Sequence, residues 1–256
     1  RMKKLVTAFA ACALAGLVDA QVESVNIVGY QTLTASGQFF STGPTFISVG
    51  DANGEWRLGD IIAEGMEAGT DFIQFLSPST AFTEVSATYI DAATAEALGD
   101  ATLQGWWDLG IENKLDDLVF SAGTGFLCNF STVGVSLIYA GEVLTGATAL
   151  DLSGQQFPMI TNLTPVDLTL GDITASGMEA GTDFIQFLNP TTAFTEISAT
   201  YIDAETAEAL GDATLQGWWD LGIENRLDSQ ALPAGASVLG NFTSSSVIVT
   251  FPSPIQ

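Results

Sequence analysis

Hydrophobic and polar positions alternate along Ala81-Phe82-Thr83-Glu84-Val85-Ser86-Ala87-Thr88-Tyr89-Ile90, a run rich in β-branched and aromatic residues. Successive side chains on a strand point to opposite faces, so this period of two predicts a strand. The run has a direct copy at 193–202. Ahead of it, residues 71–76 form a second such run bounded by Gly69 and Pro78, and Ser77-Pro78-Ser79-Thr80 predicts a hairpin turn between the two. Further strands are expected at 39–48, 105–109, 125–130 and 135–139. The exception is Asp91-Ala92-Ala93-Thr94-Ala95-Glu96-Ala97-Leu98-Gly99, where an Asp N-cap, an alanine-rich interior and a trailing Gly predict a short helix over 91–98, repeated over 203–210.

The copying extends well beyond these segments. Leu58-Gly59-Asp60 recurs as Leu170-Gly171-Asp172, and the offset of 112 then holds without a gap to Gln256. Over 58–116 the copies differ only at 62, 64, 77, 79, 85, 93 and 114, whereas over 117–144 only Ala122, Gly123, Leu127, Asn129, Phe130 and Val135 match. The chain is a tandem duplication in which one stretch of each copy is almost unchanged and the next has diverged. The expected fold is therefore all-β (mainly β): two tandem, similar β-sandwich or small-barrel domains, each with a short helical insertion. The boundaries are 21–140 for the first and 141–256 for the second, and the absence of a Pro/Ser-rich linker predicts that they abut.

Residues 1–20 have a different character. Lys3 and Lys4 precede an apolar run from Leu5 to Val18 that is too short to span a bilayer, and Val18-Asp19-Ala20 offers small residues at −3 and −1 before Gln21. This pattern predicts a cleaved signal peptide and a secreted, extracellular or cell-surface protein, with the periplasm as an alternative compartment. A lipid-modified Cys12 is the rival reading. Cys128 is then the sole thiol, expected as a small buried hydrophobe beside Phe126 and Phe130.

Composition narrows the chemistry. The 256 residues include 30 Asp+Glu, 6 Lys+Arg and no His, for a formal charge of −24. Without His there is no His-based general base, triad or zinc site, and without basic patches there is no affinity for nucleic acid. No membrane span is expected, since no 18-residue apolar run is present.

The start Asn26-Ile27-Val28-Gly29-Tyr30, then Pro44-Thr45-Phe46, Gly105-Trp106-Trp107, Ala122-Gly123-Thr124-Gly125-Phe126 and Ala140-Gly141-Glu142-Val143 resemble a group of uncharacterised secreted bacterial proteins built from tandem β-rich repeats. The resemblance implies export and a β fold and brings no catalytic residue with it. The second copy departs at its end, where Ser253-Pro254-Ile255 stands for Gly141-Glu142-Val143.

Two sets of residues are candidates for chemistry. Trp106-Trp107 and their copies Trp218-Trp219 place adjacent rings on opposite faces of a strand, so one ring of each pair can pack while the other forms a sugar-stacking platform, with Asp108 or Asp220 accepting from hydroxyls; the plainer reading is that both rings pack, the second beneath a loop. Asp108, Glu112, Asn113 and Asp116, repeated as Asp220, Glu224, Asn225 and Asp228, offer oxygen ligands of the kind that suit Ca²⁺, the sole cofactor suggested. Their spacing matches no EF-hand, and Asp51-Ala52-Asn53-Gly54-Glu55 is a fragment of one. A solvated acidic loop with one local ion pair is the plainer reading. Paired carboxylates can hydrolyse glycosides without His, but no pair stands out here. The expectation is a secreted acidic structural or surface-interaction protein rather than an enzyme, with self-association or an extracellular glycan as partner. A carbohydrate-binding module and a carboxylate-dependent glycoside hydrolase are the alternatives.

Overall fold

The computed structural model describes residues 28–35, 38–49, 54–192 and 195–254. The N-terminal pattern with Cys12, the Asp51–Asn53 part of the EF-hand fragment and positions 193–194 of the copied strand lie outside the described residues.

The chain is mainly β, with small antiparallel sheets in a four-bladed, propeller-like ring. The first copy contributes β1 (Val28–Thr34), β2 (Phe39–Thr42), β3 (Trp56–Arg57), β4 (Ile62–Glu64), β5 (Phe72–Leu76), β6 (Thr83–Ile90), β7 (Gly105–Asp108), β8 (Val119–Phe120), β9 (Phe126–Asn129) and β10 (Ser136–Glu142). The second contributes β11 (Thr148–Asp151), β12 (Met159–Thr161), β13 (Leu168–Thr169), β14 (Thr174–Ser176), β15 (Phe184–Leu188), β16 (Thr195–Ile202), β17 (Gly217–Asp220), β18 (Ala231–Leu232), β19 (Ser237–Asn241) and β20 (Ile248–Phe251). The sheets repeat as well: β2-β9-β5-β6-β7 matches β12-β19-β15-β16-β17, β1-β10-β4 matches β11-β20-β14, and the pairs β3-β8 and β13-β18 complete the set. Helices α1 (Ala92–Ala97) and α2 (Ala204–Ala209) fall where the caps predict, with Asp91 and Asp203 accepting from the Thr94 and Thr206 amides.

Several expected strands have different ends. The run over 39–48 stops as a strand at Thr42 because Gly43-Pro44 follows, and proline has no amide to give the ladder. Beyond it Ile47 pairs only locally, with Glu142. In the other direction, β10 continues through Gly141 to Glu142, after which Val143 packs on the first buried cluster and Leu144 on the second.

Each copy has its own buried cluster. Leu58, Ile61, Ile73, Tyr89 and Trp106 in the first correspond to Leu170, Ile173, Ile185, Tyr201 and Trp218 in the second. The diverged stretch keeps apolar character while changing size, with Phe120, Phe126 and Tyr139 standing opposite Leu232, Val238 and Phe251. Sequence identity is lost there and the core face is retained, because burial constrains polarity more tightly than shape.

The two copies meet through a pseudo-two-fold seam. Thr42 bridges Ala236 while Ile160 bridges Thr124, and the Gly43 amide donates to the Gly235 carbonyl (3.2 Å) just as the Thr161 amide donates to the Gly123 carbonyl (2.9 Å). Near the axis, perfect symmetry would fail. A Cβ on Gly125 would collide with the Ser237 hydroxyl, which is the side chain at the copied position and already bonds Thr161 at 2.7 Å. One copy must therefore be glycine where the other is serine, which gives a physical reason for divergence in this stretch.

Candidate functional site

Each tryptophan pair sits on a short strand, β7 or β17, whose alternation sends its two rings to opposite faces. Trp106 is fully buried: its indole N–H donates to the Ile61 carbonyl (2.7 Å) and its ring lies 5.1 Å from that of Tyr89. Trp218 repeats this with Ile173 (2.9 Å) and Tyr201 (5.1 Å). These two rings belong to the cores and have no face left for a ligand. Trp107 and Trp219 are half-buried, and each anchors a 3-10 turn by donating to the Leu103 or Leu215 carbonyl at 2.7 Å. A cation flanks each ring, Lys114 Nζ at 5.8 Å and the Arg226 guanidinium at 5.4 Å from the centroids. A stacking surface for a sugar therefore reduces to the remaining outer faces of Trp107 and Trp219.

The acidic residues that follow do local architectural work. In the loop after β7 the Asp108 carboxylate accepts from the Glu112 amide (2.8 Å) and the Asn113 side chain (2.5 Å), while its own amide donates to the Asn113 carbonyl (3.0 Å). The loop after β17 is the same, with Asp220 holding Glu224 (2.8 Å) and Asn225 (2.5 Å). The Asn113 and Asn225 amides first, and the Glu112 and Glu224 backbone next, hold both aspartates below the ordinary carboxylate range. At the tip of each loop Ile111 and Ile223 adopt φ of 55°, a left-handed conformation that a β-branched residue resists.

Asp116 works elsewhere. It accepts from the Trp106 amide at 2.7 Å and pairs with Lys114 at 3.1 Å, directly under Gly105, where φ is 128° and any Cβ would strike its carboxylate oxygens. Asp228 repeats the role beneath Gly217, bonding the Trp218 amide at 2.8 Å and pairing with Arg226. Asp108 and Asp116 thus face different tasks. Among the described residues, no three Asp, Glu or Cys side chains gather as a metal shell. Asp108, Glu112 and Asn113 and their copies form the loop, and Asp116 and Asp228 support the strand edge.

Two carboxylates that the sequence reading passed over are the most deeply set. Asp71 has no exposed surface and accepts from the amides of Glu67 (2.9 Å), Ser131 (2.7 Å) and Thr132 (3.1 Å) and from the Ser131 hydroxyl (3.1 Å). Asp183 accepts from the Glu179, Thr243 and Ser244 amides and the Thr243 hydroxyl. Burial pushes both acids up, but the donors outweigh it and hold them below the ordinary carboxylate range. The signal was the period itself: Asp71, Ile73 and Phe75 share one face, and that face is the buried one.

A concave surface lies at the seam. A cleft of about 400 Å³ opens between the copies, walled by Leu33, Phe40, Phe187, Leu188, Pro190 and Pro233. The Ser41 and Thr42 hydroxyls in it are engaged with the Ser237 (2.5 Å) and Gly235 (2.7 Å) carbonyls. A smaller cavity of about 100 Å³, sharing Phe40 and Leu188, reaches Cys128, whose buried thiol is pushed well above its ordinary range by desolvation. Among the described residues no helix is long and apolar enough to cross a membrane. No family model, curated protein or solved structure matches the chain.

Proposed function

We propose that this chain is a secreted acidic structural or surface-interaction protein, built from two tandem β-sandwich-like units that present a duplicated surface outside the cell. The observation that carries the reading is the use made of its acids. Asp91, Asp100, Asp108, Asp151, Asp172, Asp212 and Asp220 are each held below the ordinary range, first of all by a hydrogen bond from their own turn. Asp71 and Asp183 reach the same state against burial. A glycosidase needs one carboxyl raised so that it can deliver a proton. Carboxylates held ionised by donors in their own turns suit a scaffold instead, and Asp100 and Asp108 are used in the same way as their copies Asp212 and Asp220. Export rests on the N-terminal pattern.

Glycan binding is the second reading, favoured by the same half-buried ring and flanking cation appearing at Trp107 and Trp219. Two weak equivalent sites on one chain would gain by avidity. One panel separates the classes: the purified protein is examined for ordered association, then applied to a glycan array and to polysaccharide substrates. Association without glycan binding supports the structural reading. Glycan binding lost in Trp107→Ala/Trp219→Ala supports the second, and released sugar refutes both.

A further inference from the structure

The sheet edges differ in how they are closed. β7 and β17 are edged by their own loops through the Trp107–Lys114 and Trp219–Arg226 bridges, and the β2 and β12 edges meet the opposite copy at the seam. β4 and β14 are three residues long, and β11 has four and ends on Asp151. Short length and charge are the usual protections of a sheet edge. β1 has neither. It runs seven residues, Val28-Gly29-Tyr30-Gln31-Thr32-Leu33-Thr34, without charge, proline or bulge, and among the described residues it has a neighbour only on the β10 side. In a chain of charge −24, no charged side chain occurs anywhere between Glu23 and Asp51.

The phase of the ladder fixes which groups that edge offers. The Ala35 amide donates to the Val135 carbonyl, so Leu33, Gln31 and Gly29, at steps of two, bond β10. The amides and carbonyls of Val28, Tyr30, Thr32 and Thr34 then point away from it. The far side of β10 agrees, since Glu142 bonds Ile47 in both directions, and Ser136 and Ile138 pair with Glu64 and Ile62. The same four β1 residues carry the exposed side chains, with Val28 and Tyr30 67% and 69% exposed.

We propose that β1 is a docking edge for β1 of a second copy, an antiparallel pairing on a two-fold axis through Gln31 that joins two three-stranded sheets into one. This deepens the structural-interaction reading and rests on it. In that register Tyr30 faces Thr32 of the second copy and Val28 faces Thr34. Every outward amide and carbonyl meets its complement, and aromatic and β-branched side chains lie across from one another. Other self-pairings of β1 leave outward groups at one end unmatched. Because the contact is isologous and the second copy's matching edge, β11, is short and charged, association closes at a dimer instead of growing into a filament. The contact is small, so the dimer is weak and concentration-dependent. Its assembly brings together two strongly anionic bodies, so added salt strengthens it.

The test is sedimentation equilibrium of the full chain at two NaCl concentrations, with amide hydrogen exchange read by NMR across a dilution series. The expected result is a monomer–dimer equilibrium that tightens with salt, with Tyr30 and Thr32 amides gaining protection at high concentration while those of Gly29, Gln31 and Leu33 do not change. Thr32→Pro removes only an outward amide, and Tyr30→Asp sets like charges near the axis. Each should weaken the dimer at least about tenfold while the melting curve of the monomer is preserved. A variant that unfolds leaves the exchange pattern of the wild type to decide. A monomer whose Tyr30 and Thr32 amides are protected at every concentration means that another part of this chain covers the edge, and overturns the proposal. So does a monomer with both amides unprotected throughout, a dimer indifferent to Thr32→Pro, or open-ended polymers. A dimer lost in these variants together with released sugar from polysaccharide keeps this contact and removes the functional reading on which it rests.

Discussion

Replacing Asp71 by Asn changes almost no volume, yet it should be among the most damaging conservative substitutions in the chain. Oδ1 accepts from the Ser131 and Thr132 amides and Oδ2 from the Glu67 amide, so both oxygens face donors. An asparagine can satisfy only one side. With its carbonyl toward Ser131 and Thr132, its NH₂ confronts the Glu67 N–H, leaving two donors apposed in a site with no exposed surface. An unsatisfied buried donor costs about 1–3 kcal/mol, and losing a charge-assisted acceptor adds to it, so Asp71→Asn should cost about 3 kcal/mol and Asp71→Ala about 4. Against a total of roughly 5–15 kcal/mol for a domain, this is a large share. Urea unfolding followed by the fluorescence of the buried Trp106 and Trp218 measures it. Asp183→Asn should cost a similar amount, because its donors are the same in kind. The pH dependence follows from the sign of the shift. The folded pKa is depressed below that of the unfolded chain, so the contribution is fully present above the unfolded value and disappears as pH falls through the lower, folded one. Asp71→Asn should flatten the acid limb of stability below about pH 4. A loss below about 1 kcal/mol with an unchanged m-value, or an acid limb that keeps its slope, would refute the reasoning.

Three further substitutions probe other parts of the structure. Among the described residues the buried Tyr139 hydroxyl has no well-formed hydrogen bond, with only the Thr42 side chain as a polar neighbour, and the second copy has Phe251 there, so Tyr139→Phe should leave stability unchanged or raise it by up to about 1 kcal/mol in the same urea assay. Ile111→Gly and Ile223→Gly relieve a β-branched residue at φ 55°, and each should raise the melting temperature by an amount equivalent to about 1 kcal/mol, measured calorimetrically. Gly125→Ser should destabilise by at least about 2 kcal/mol through its collision with Ser237, and adding Ser237→Gly should recover part of the loss, a coupling that a double-mutant cycle reads directly.

Period and punctuation made much of this fold legible. The β5–β6 hairpin, the capped helices and the opposite-facing tryptophans all follow from patterns within a dozen residues. What stayed hidden depends on partners far away in the chain. β1 alternates Val, Tyr, Thr and Thr on one face with Gly, Gln and Leu on the other, so neither face has the uniform polarity that marks a half-buried strand. The two-residue strands β3 and β8 carry no period at all. Asp71 lay at the start of an expected strand, in phase with Ile73 and Phe75, but what makes its burial tolerable was not visible, because most of its donors lie sixty residues on, at Ser131 and Thr132. For the corner acids the span offered two readings, a shared cation and a solvated loop; that Asp108 closes its own loop while Asp116 supports the Trp106 amide is a division of labour that needs three dimensions to see.

The central claim is that Asp71, Asp108, Asp183 and Asp220 are structural acceptors held ionised by the donors that surround them, from their own loop for Asp108 and Asp220 and largely from a distant one for Asp71 and Asp183. Residue-specific carboxyl titration by ¹³C NMR tests it most directly, in the presence and absence of Ca²⁺. The account predicts that Asp71, Asp108, Asp183 and Asp220 titrate below the ordinary aspartate range, alike between copies, with no Ca²⁺-selective displacement. An aspartate among them with a raised pKa, or a corner loop whose titration moves with Ca²⁺ and not with Mg²⁺, would contradict it.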